Sequence, residues 1–291
     1  MEYILYQIAC FLSARLPLGT LRLISFIAAM MKYLCLPGLR RIITSNLRAV
    51  FEYRKEVLGK NYSAQELRSA VRRVYRNFGF YIADFFYAHR WTLSEIERKV
   101  RISGRNVLDN ACKSGKGVIV LTAHLGNWEL AGIATAMLGY PMNAIALLYK
   151  NRKITSIFTK KREEKGVHVI FTGTSPKELL KVFHGNGIVA VLGDRLFTEK
   201  GVEVDFLGRK TLLPRGPATF AVRKETGFIA GFLVREGKGF HLMFEEIPPP
   251  SDLLSEDEKI QAFVVNGAKI IEKYVMNYPD QWLNFSRMWE C

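Results

Sequence analysis

The chain has 291 residues, 49% of them hydrophobic, and a formal charge of +15; it is long enough to bury the core of one large α/β domain, alone or with a modest appendage, which excludes a disordered chain. A pI near 9.7 points to anionic partners: nucleic acid, acidic lipid headgroups, phosphorylated substrates or an acidic carrier protein. The four cysteines, Cys10, Cys35, Cys112 and Cys291, stand singly, without the close pairs that metal sites and redox motifs require, which fits a reduced, cytoplasm-facing protein.

Residues 1 to 36 are dense in Leu, Ile, Phe, Tyr and Met but do not read as a cleavable signal peptide. Arg15, Pro17, Gly19, Arg22 and Lys32 interrupt the run, and its longest uncharged piece, Leu23 to Met31, falls short of the roughly 20 apolar residues a spanning helix needs. The segment 1–40 is therefore expected to form helices that lie on or dip into a membrane surface, with basic side chains reaching headgroups. A buried helical hairpin and a true spanning helix are the alternatives.

Residues 41–291 form the second unit. "IITSNLRAVF" is a basic amphipathic segment, and Ser63 with Glu66 spells a capping box for a long helix reaching about His89. That helix is basic in its first half (Arg68, Arg72, Arg73, Arg76). Its second half is aromatic, which suits core packing better than a lipid interface.

From residue 100 helical and strand patterns alternate. "VRISG", "GVIVLTA", "MNAIALLY", "HVIF", "IVAVLGD" and "VEVDFLG" read as strands, separated by helical stretches such as "WELAGIATAMLG", "KITSIFTKKREEKG", "SPKELLKVFHGNG" and "GPATFAVRKETG". "FIAGFLVREGKGFHLMFEEI" is a hairpin around "GKG", and "EDEKIQAFVVNGAKIIEKYVMNYP" is the last long helix. The expectation is an α/β fold: a mostly parallel central sheet flanked by helices on both faces, with an antiparallel edge.

In such sheets ligands sit beyond the carboxyl ends of strands. His124 directly follows the apolar strand Val118 to Leu121, Gly126 frees the bend, and Asn127 is a good N-cap that places Trp128 and Glu129 in the first helical turn. A loop imidazole can fold back over the Glu129 carboxylate, which the helix N-terminus keeps ionised. Such a carboxylate fixes the tautomer of His124 and raises the basicity of its far nitrogen, which can then take a proton from a hydroxyl. A polar loop histidine and a favourable first-turn charge are the bland alternatives, and the spacing alone does not separate them.

The residues "AHLGNWELAG" resemble the H-x4-D/E motif of the lysophospholipid-type acyltransferases, and most closely its form in the lipid A biosynthesis acyltransferases. The resemblance extends through "NLRAVF", "LYKNRKITSIFTKKREEKG", "LGDR", "VEVDFLGRKTLLPRGPATFAVRKETG" and "YPDQWLNFSRMW", covering roughly residues 40 to 290. It implies a glycerol-phosphate-acyltransferase-like fold and acyl transfer from an acyl carrier protein thioester to a hydroxyl of a phosphorylated glycolipid, with no metal or bound cofactor, at the cytoplasmic side of the inner membrane. Carried over by position, His124 is the general base and Glu129 its partner, Arg162 matches the functional arginine and Asp194 an acidic position. The chain departs from the family in carrying "YKNRK" where members often have an Arg-Pro pair. A lysophospholipid or mannosylated phosphatidylinositol acceptor is the alternative.

Arg162 could stabilise an oxyanion or grip a phosphate, although it sits in the mixed run from Lys160 to Lys165 that suits an exposed helix end. Asp194 and Arg195 follow a strand and could orient the arginine or bind sugar; a local Asp-Arg turn explains them equally. Arg215 precedes a helix N-terminus suited to an anion, and Asn127 joins Arg162, Asp194, Arg195 and Arg215 among the substrate-binding candidates. Trp282, Arg287 and Trp289 read as packing residues. No His-x3-His or Cys/His cluster, P-loop or G-x-S-x-G elbow occurs, so neither zinc nor a covalent acyl-enzyme is expected. A non-catalytic basic membrane protein would leave "HLGNWE" idle, and the scattered basic residues form no nucleic-acid module.

Overall fold

The computed structural model describes residues 2–173, 175–196 and 201–289; Cys291 lies outside them. The chain begins with α1 (Glu2–Arg15), α2 (Leu18–Cys35), α3 (Pro37–Leu58) and α4 (Ala64–Tyr87), followed by α5 (Leu93–Lys99). The capping box at Ser63 forms with both reciprocal bonds, fixing the start of α4 where the sequence put it. α2 crosses α4 closely at Gly79, where a methyl group would come within 2.6 Å of the Ser25 carbonyl oxygen.

α2 is long and apolar enough to cross a membrane by length and composition, extending past the uncharged piece at both ends. It nevertheless lies along the protein. Arg22 donates to the fully buried Asp84 of α4 at 2.8 Å. The second oxygen of Asp84 accepts from Arg235, so one carboxylate joins the N-terminal helices to the sheet. Behind it Leu47, Val74, Tyr75 and Leu283 bury a small core shared by α2, α3, α4 and the C-terminal segment. The opposite faces of α1 (Ile4, Leu5, Ile8, Phe11) and α2 (Leu23, Ile27, Met31, Leu34) are exposed and apolar.

The remaining elements alternate: β1 (Val100–Ser103), α6 (Arg105–Lys113), β2 (Val118–Thr122), α7 (Trp128–Met137), β3 (Met142–Ala146), α8 (Arg152–Glu163), β4 (His168–Phe171), α9 (Pro176–His184), β5 (Ile188–Leu192), β6 (Gly201–Phe206), β7 (Arg209–Pro214), α10 (Gly216–Lys224), β8 (Gly227–Glu236), β9 (Gly239–Glu246) and α11 (Glu256–Asn277). Seven strands form one sheet in the order β1-β9-β8-β2-β5-β3-β4. β2 runs parallel to both β5 and β8, and is buried along its whole length.

The period-2 alternation of β2 divides the core between two faces. Ile119 and Leu121 pack with α9, α10 and α11. Val118 and Val120 pack with α4 to α8. This is the mostly parallel, two-sided sheet expected from the sequence, with two corrections. The antiparallel pair β8–β9 is not at the edge, because β1 returns to pair parallel with β9 and closes that side. The "VEVDFLG" strand, β6, is not in the central sheet: it pairs antiparallel with β7 in a hairpin of its own, and Phe206 and Leu207 carry it onto the α11 side of the core.

Candidate active site

The site is built on the bend between β2 and α7. Gly126 has φ of +64°, a left-handed conformation that favours glycine, and a methyl group there would lie 2.0 Å from the Leu233 carbonyl oxygen. The bend is stitched on both sides by backbone bonds: Gly126 N–H donates to Gln281 O (2.9 Å), Asn127 N–H to Leu233 O (2.8 Å), and Leu283 N–H to His124 O (2.6 Å). Gly126→Ala is expected to lower stability by at least the ~1–2 kcal/mol of a left-handed alanine, read as a fall in Tm with loss of turnover, because β8 must move to admit the methyl.

His124 is held from behind by Asp194, which is fully buried at the end of β5. Its Nδ1 lies 2.8 Å from Asp194 Oδ1, and its backbone N–H donates to Oδ2 at 3.2 Å. Trp282 Nε1–H donates to the same Oδ2 at 2.9 Å. Burial pushes the Asp194 carboxyl up, but the His124 imidazole, the His124 and Trp282 donors and Arg195 together hold it below the usual carboxylate range. A carboxylate only accepts, so Nδ1 carries a proton, and in the neutral ring the lone pair is on Nε2. Because the folded value is lowered, ionised Asp194 stabilises the fold above the unfolded carboxylate value, and this is lost as pH falls through the lower folded value. The Tm advantage of the native chain over Asp194→Asn is expected to persist at pH 5 and to vanish only below about pH 4.

Glu129 is buried in the first turn of α7 and gripped by Arg162 of α8 through a parallel fork, Nε to Oε2 at 2.7 Å and NH2 to Oε1 at 2.6 Å. Burial opposes the Arg162 charge and Glu129 overrides it, holding the guanidinium above its usual range. His124, Glu129 and Arg162 line one groove of about 540 Å3 at the carboxyl ends of β2, β3 and β5. Trp128 forms one wall, stacked on Tyr81 at 4.3 Å and edge-on to His124 at 5.0 Å. Ala144, Ala190 and Gly132 keep the floor narrow in side chains, which leaves room for an apolar chain. Among the described residues no group of three or more His, Cys, Asp or Glu side chains comes together to hold a metal ion.

A family model described as bacterial lipid A biosynthesis acyltransferase matches residues 2–290. The chain belongs to that family. Among curated proteins it is similar to a phosphatidylinositol mannoside acyltransferase of Mycobacterium tuberculosis (strain CDC 1551 / Oshkosh), 27% identical over 205 residues, which are 69% of this chain and 63% of the relative. It is also similar to one of Mycolicibacterium smegmatis, 27% identical over 184 residues, 62% of this chain and 59% of the relative. The chain thus spans about three-fifths of the length of these relatives.

Within this member of the lipid A biosynthesis acyltransferase family, several sequence expectations are corrected. The imidazole of His124 is oriented through Nδ1 by Asp194 and not by Glu129, whose two oxygens are taken by Arg162. Asp194, expected to orient an arginine or bind sugar, is sealed at 0% exposure behind His124 and touches no substrate space. Arg195 does not line the groove, and its Nε is buried with no hydrogen-bond partner. Arg215 is spent on a surface ion pair with Asp257 at 2.9 Å. Asn127 is spent on the fold: its Oδ1 caps α7 by accepting from Leu130 N–H at 3.0 Å, and its Nδ2 donates to Tyr81 O at 3.4 Å. Arg162 is not a solvated member of its charge run, because α8 turns it inward while Lys160 stays outside.

Trp282 is the residue that sequence reasoning assigned to packing alone. Its indole N–H is the only signal that a buried tryptophan needs a polar partner. A second grouping, Ser103 Oγ 2.8 Å from His241 Nε2 with Glu236 3.3 Å from Nδ1, has the outline of a triad but the wrong polarity. Arg101 donates to Nδ1 at 2.8 Å, so Nε2 of His241 carries the proton and donates to Ser103 rather than accepting from it.

Proposed function

We propose that the protein is an O-acyltransferase that moves a fatty acyl chain from an acyl carrier protein thioester to a hydroxyl of a phosphorylated glycolipid, a lipid A precursor, at the cytoplasmic face of the inner membrane. The observation that carries this reading is the orientation of His124: Asp194 fixes its Nδ1–H from behind while the ring lies in an apolar groove under Trp128. Nε2 of His124 takes the proton of the acceptor hydroxyl as its oxygen attacks the thioester carbonyl. The tetrahedral oxyanion collapses with cleavage of the C–S bond, and the leaving thiolate recovers the proton from His124, giving the ester and a free thiol. No acyl-enzyme is required.

Arg162 supplies a fixed positive charge beside the reacting carbonyl, and Glu129 holds its guanidinium plane in place by the two-bond fork. Glu129 is therefore a positioning residue in this reading. The charge of +15 favours an acidic carrier protein and phosphorylated lipids. The segment 1–40, with the exposed apolar faces of α1 and α2, serves membrane association.

A second reading keeps the chemistry and changes the acceptor to a mannosylated phosphatidylinositol, favoured by the names of the similar curated proteins. Mass spectrometry of total lipid with and without the gene separates the two. The first reading expects a lipid A precursor short of one acyl chain in the deletion, and the second expects an under-acylated mannolipid. No change in any lipid mass removes both.

A further inference from the structure

The segment between β3 and α8 is unusual for a groove wall. Leu147, Leu148 and Tyr149 are consecutive and exposed to 45%, 42% and 41%, and they line the His124 groove. Lys150, Arg152 and Lys153 follow immediately and are all exposed. The segment is held in place: Tyr149 N–H donates to Thr155 Oγ1 at 3.1 Å, and Asn151 caps α8 by accepting from Lys153 N–H at 3.0 Å. Leu147 and Leu148 therefore expose apolar surface on a fixed turn, while Tyr149 turns back to stack on Phe158, and the exposed pair is a cost that needs a covering surface.

The neighbourhood identifies that surface. α1 runs alongside α8 in the same direction, because Tyr3 sits over Lys153 at 5.5 Å while Cys10 shares a cleft with Lys161 and Glu164 further along. Tyr6 and Tyr149 both pack on Phe158, at 5.2 Å and 5.3 Å. The first turn of α1, with Ile4 and Leu5 exposed, therefore lies at the same end of α8 as the exposed leucines. Exposed apolar side chains followed directly along the chain by exposed lysine and arginine match the boundary between acyl chains and anionic headgroups.

We propose that Leu147 and Leu148, backed by Lys150, Arg152 and Lys153, form a membrane-seated lip that sets the mouth of the His124 groove directly on an anionic bilayer, beside the first turn of α1. The inference rests on the acyltransferase reading and adds to it a route for the lipid acceptor: its hydrocarbon passes from the bilayer to the groove over Leu148 without crossing water, while the acyl chain to be transferred arrives on its carrier. Leu148 walls two depressions at once, the groove and an adjoining one lined by Arg152, Lys160 and Glu163.

The test uses the full chain with Leu148→Trp and vesicles of phosphatidylglycerol and phosphatidylethanolamine brominated on their acyl chains. The emission added by the new indole is expected to be lost on these vesicles and kept on phosphatidylcholine vesicles. The control is Leu253→Trp, in the loop leading to α11 on the other side of the sheet, which is expected to stay unquenched. Leu147→Ser/Leu148→Ser is expected to weaken partition onto the anionic vesicles about tenfold, from the apolar area no longer buried in lipid. Vesicle binding without quenching of Leu148→Trp, equal quenching at residue 253, or no binding to anionic vesicles overturns the lip. None of these readouts involves acyl transfer, so turnover of detergent-dispersed lipid by the unsubstituted chain judges the enzymatic reading separately.

Discussion

Asp194→Asn is expected to lower turnover by about 10^3-fold or more while leaving KM and the fold nearly unchanged. An asparagine of the same shape can still fill the space between His124 and Trp282. It can also present an N–H to Nδ1, so that the imidazole takes the opposite tautomer and loses the Nε2 lone pair that the proposed reaction uses. Asp194 touches no groove space, so substrate binding has no reason to change. His124→Ala is expected to reach the same floor, and the double variant is expected to be no worse than either single one, because the two act as a unit. Glu129→Gln provides the contrast. It keeps one bond of the Arg162 fork and removes the charge, so it should lose activity through a displaced guanidinium, and Arg162→Lys should imitate it. Steady-state kinetics of the five variants decide the matter. Asp194→Asn within threefold of the native turnover would show that the buried carboxylate does not set the tautomer and would return the partner role to Glu129.

The largest expected effect on stability is at Asp84. Burial holds its carboxyl above the usual carboxylate range although the Arg235 and Arg22 guanidiniums oppose the shift, so the charge depends on both cations. Asp84→Ala leaves two mostly buried guanidiniums facing each other across a cavity and is expected to cost about 3–5 kcal/mol, visible as a fall in the denaturant midpoint. Replacing the whole cluster by Arg22→Met, Asp84→Leu and Arg235→Met removes the charges together and is expected to restore most of that loss. The pair of results separates a sealed ion cluster from a solvated one. A solvated cluster would give less than about 1 kcal/mol for Asp84→Ala.

Local patterns in the sequence carried the frame of the site but not its wiring. The run Val118 to Leu121, the histidine after it, Gly126 and the Asn127 cap are all features of neighbouring residues, and each lies where its chemistry required. The partner of His124 is 70 residues away, and the partner of Glu129 is 33 away. Nothing in a period of 2 or 3.6 specifies which of several carboxylates at strand ends will meet an imidazole. That choice is made by sheet order, which puts β5 beside β2 and brings Asp194 under the bend. The same limit explains β6, whose alternation reads as a strand without saying which sheet it joins, and β9, whose hairpin gave no hint that β1 would return beside it. Arg162 was legible only through the family resemblance, because a charge run looks the same whether one member turns inward or not.

The stitching of the β2–α7 bend by Gln281 and Leu283, with Trp282 on Asp194, has a consequence for biosynthesis. The chain is made from its N-terminus, so α1 and α2 leave the ribosome long before residues 281 to 283 exist. During that interval the nascent protein already has its apolar N-terminal helices, whereas His124 lacks the segment that fastens its carbonyl and its supporting carboxylate. On the proposed membrane seating, anchorage then precedes competence, and a translating polysome would carry chains that stay silent until the final segment docks.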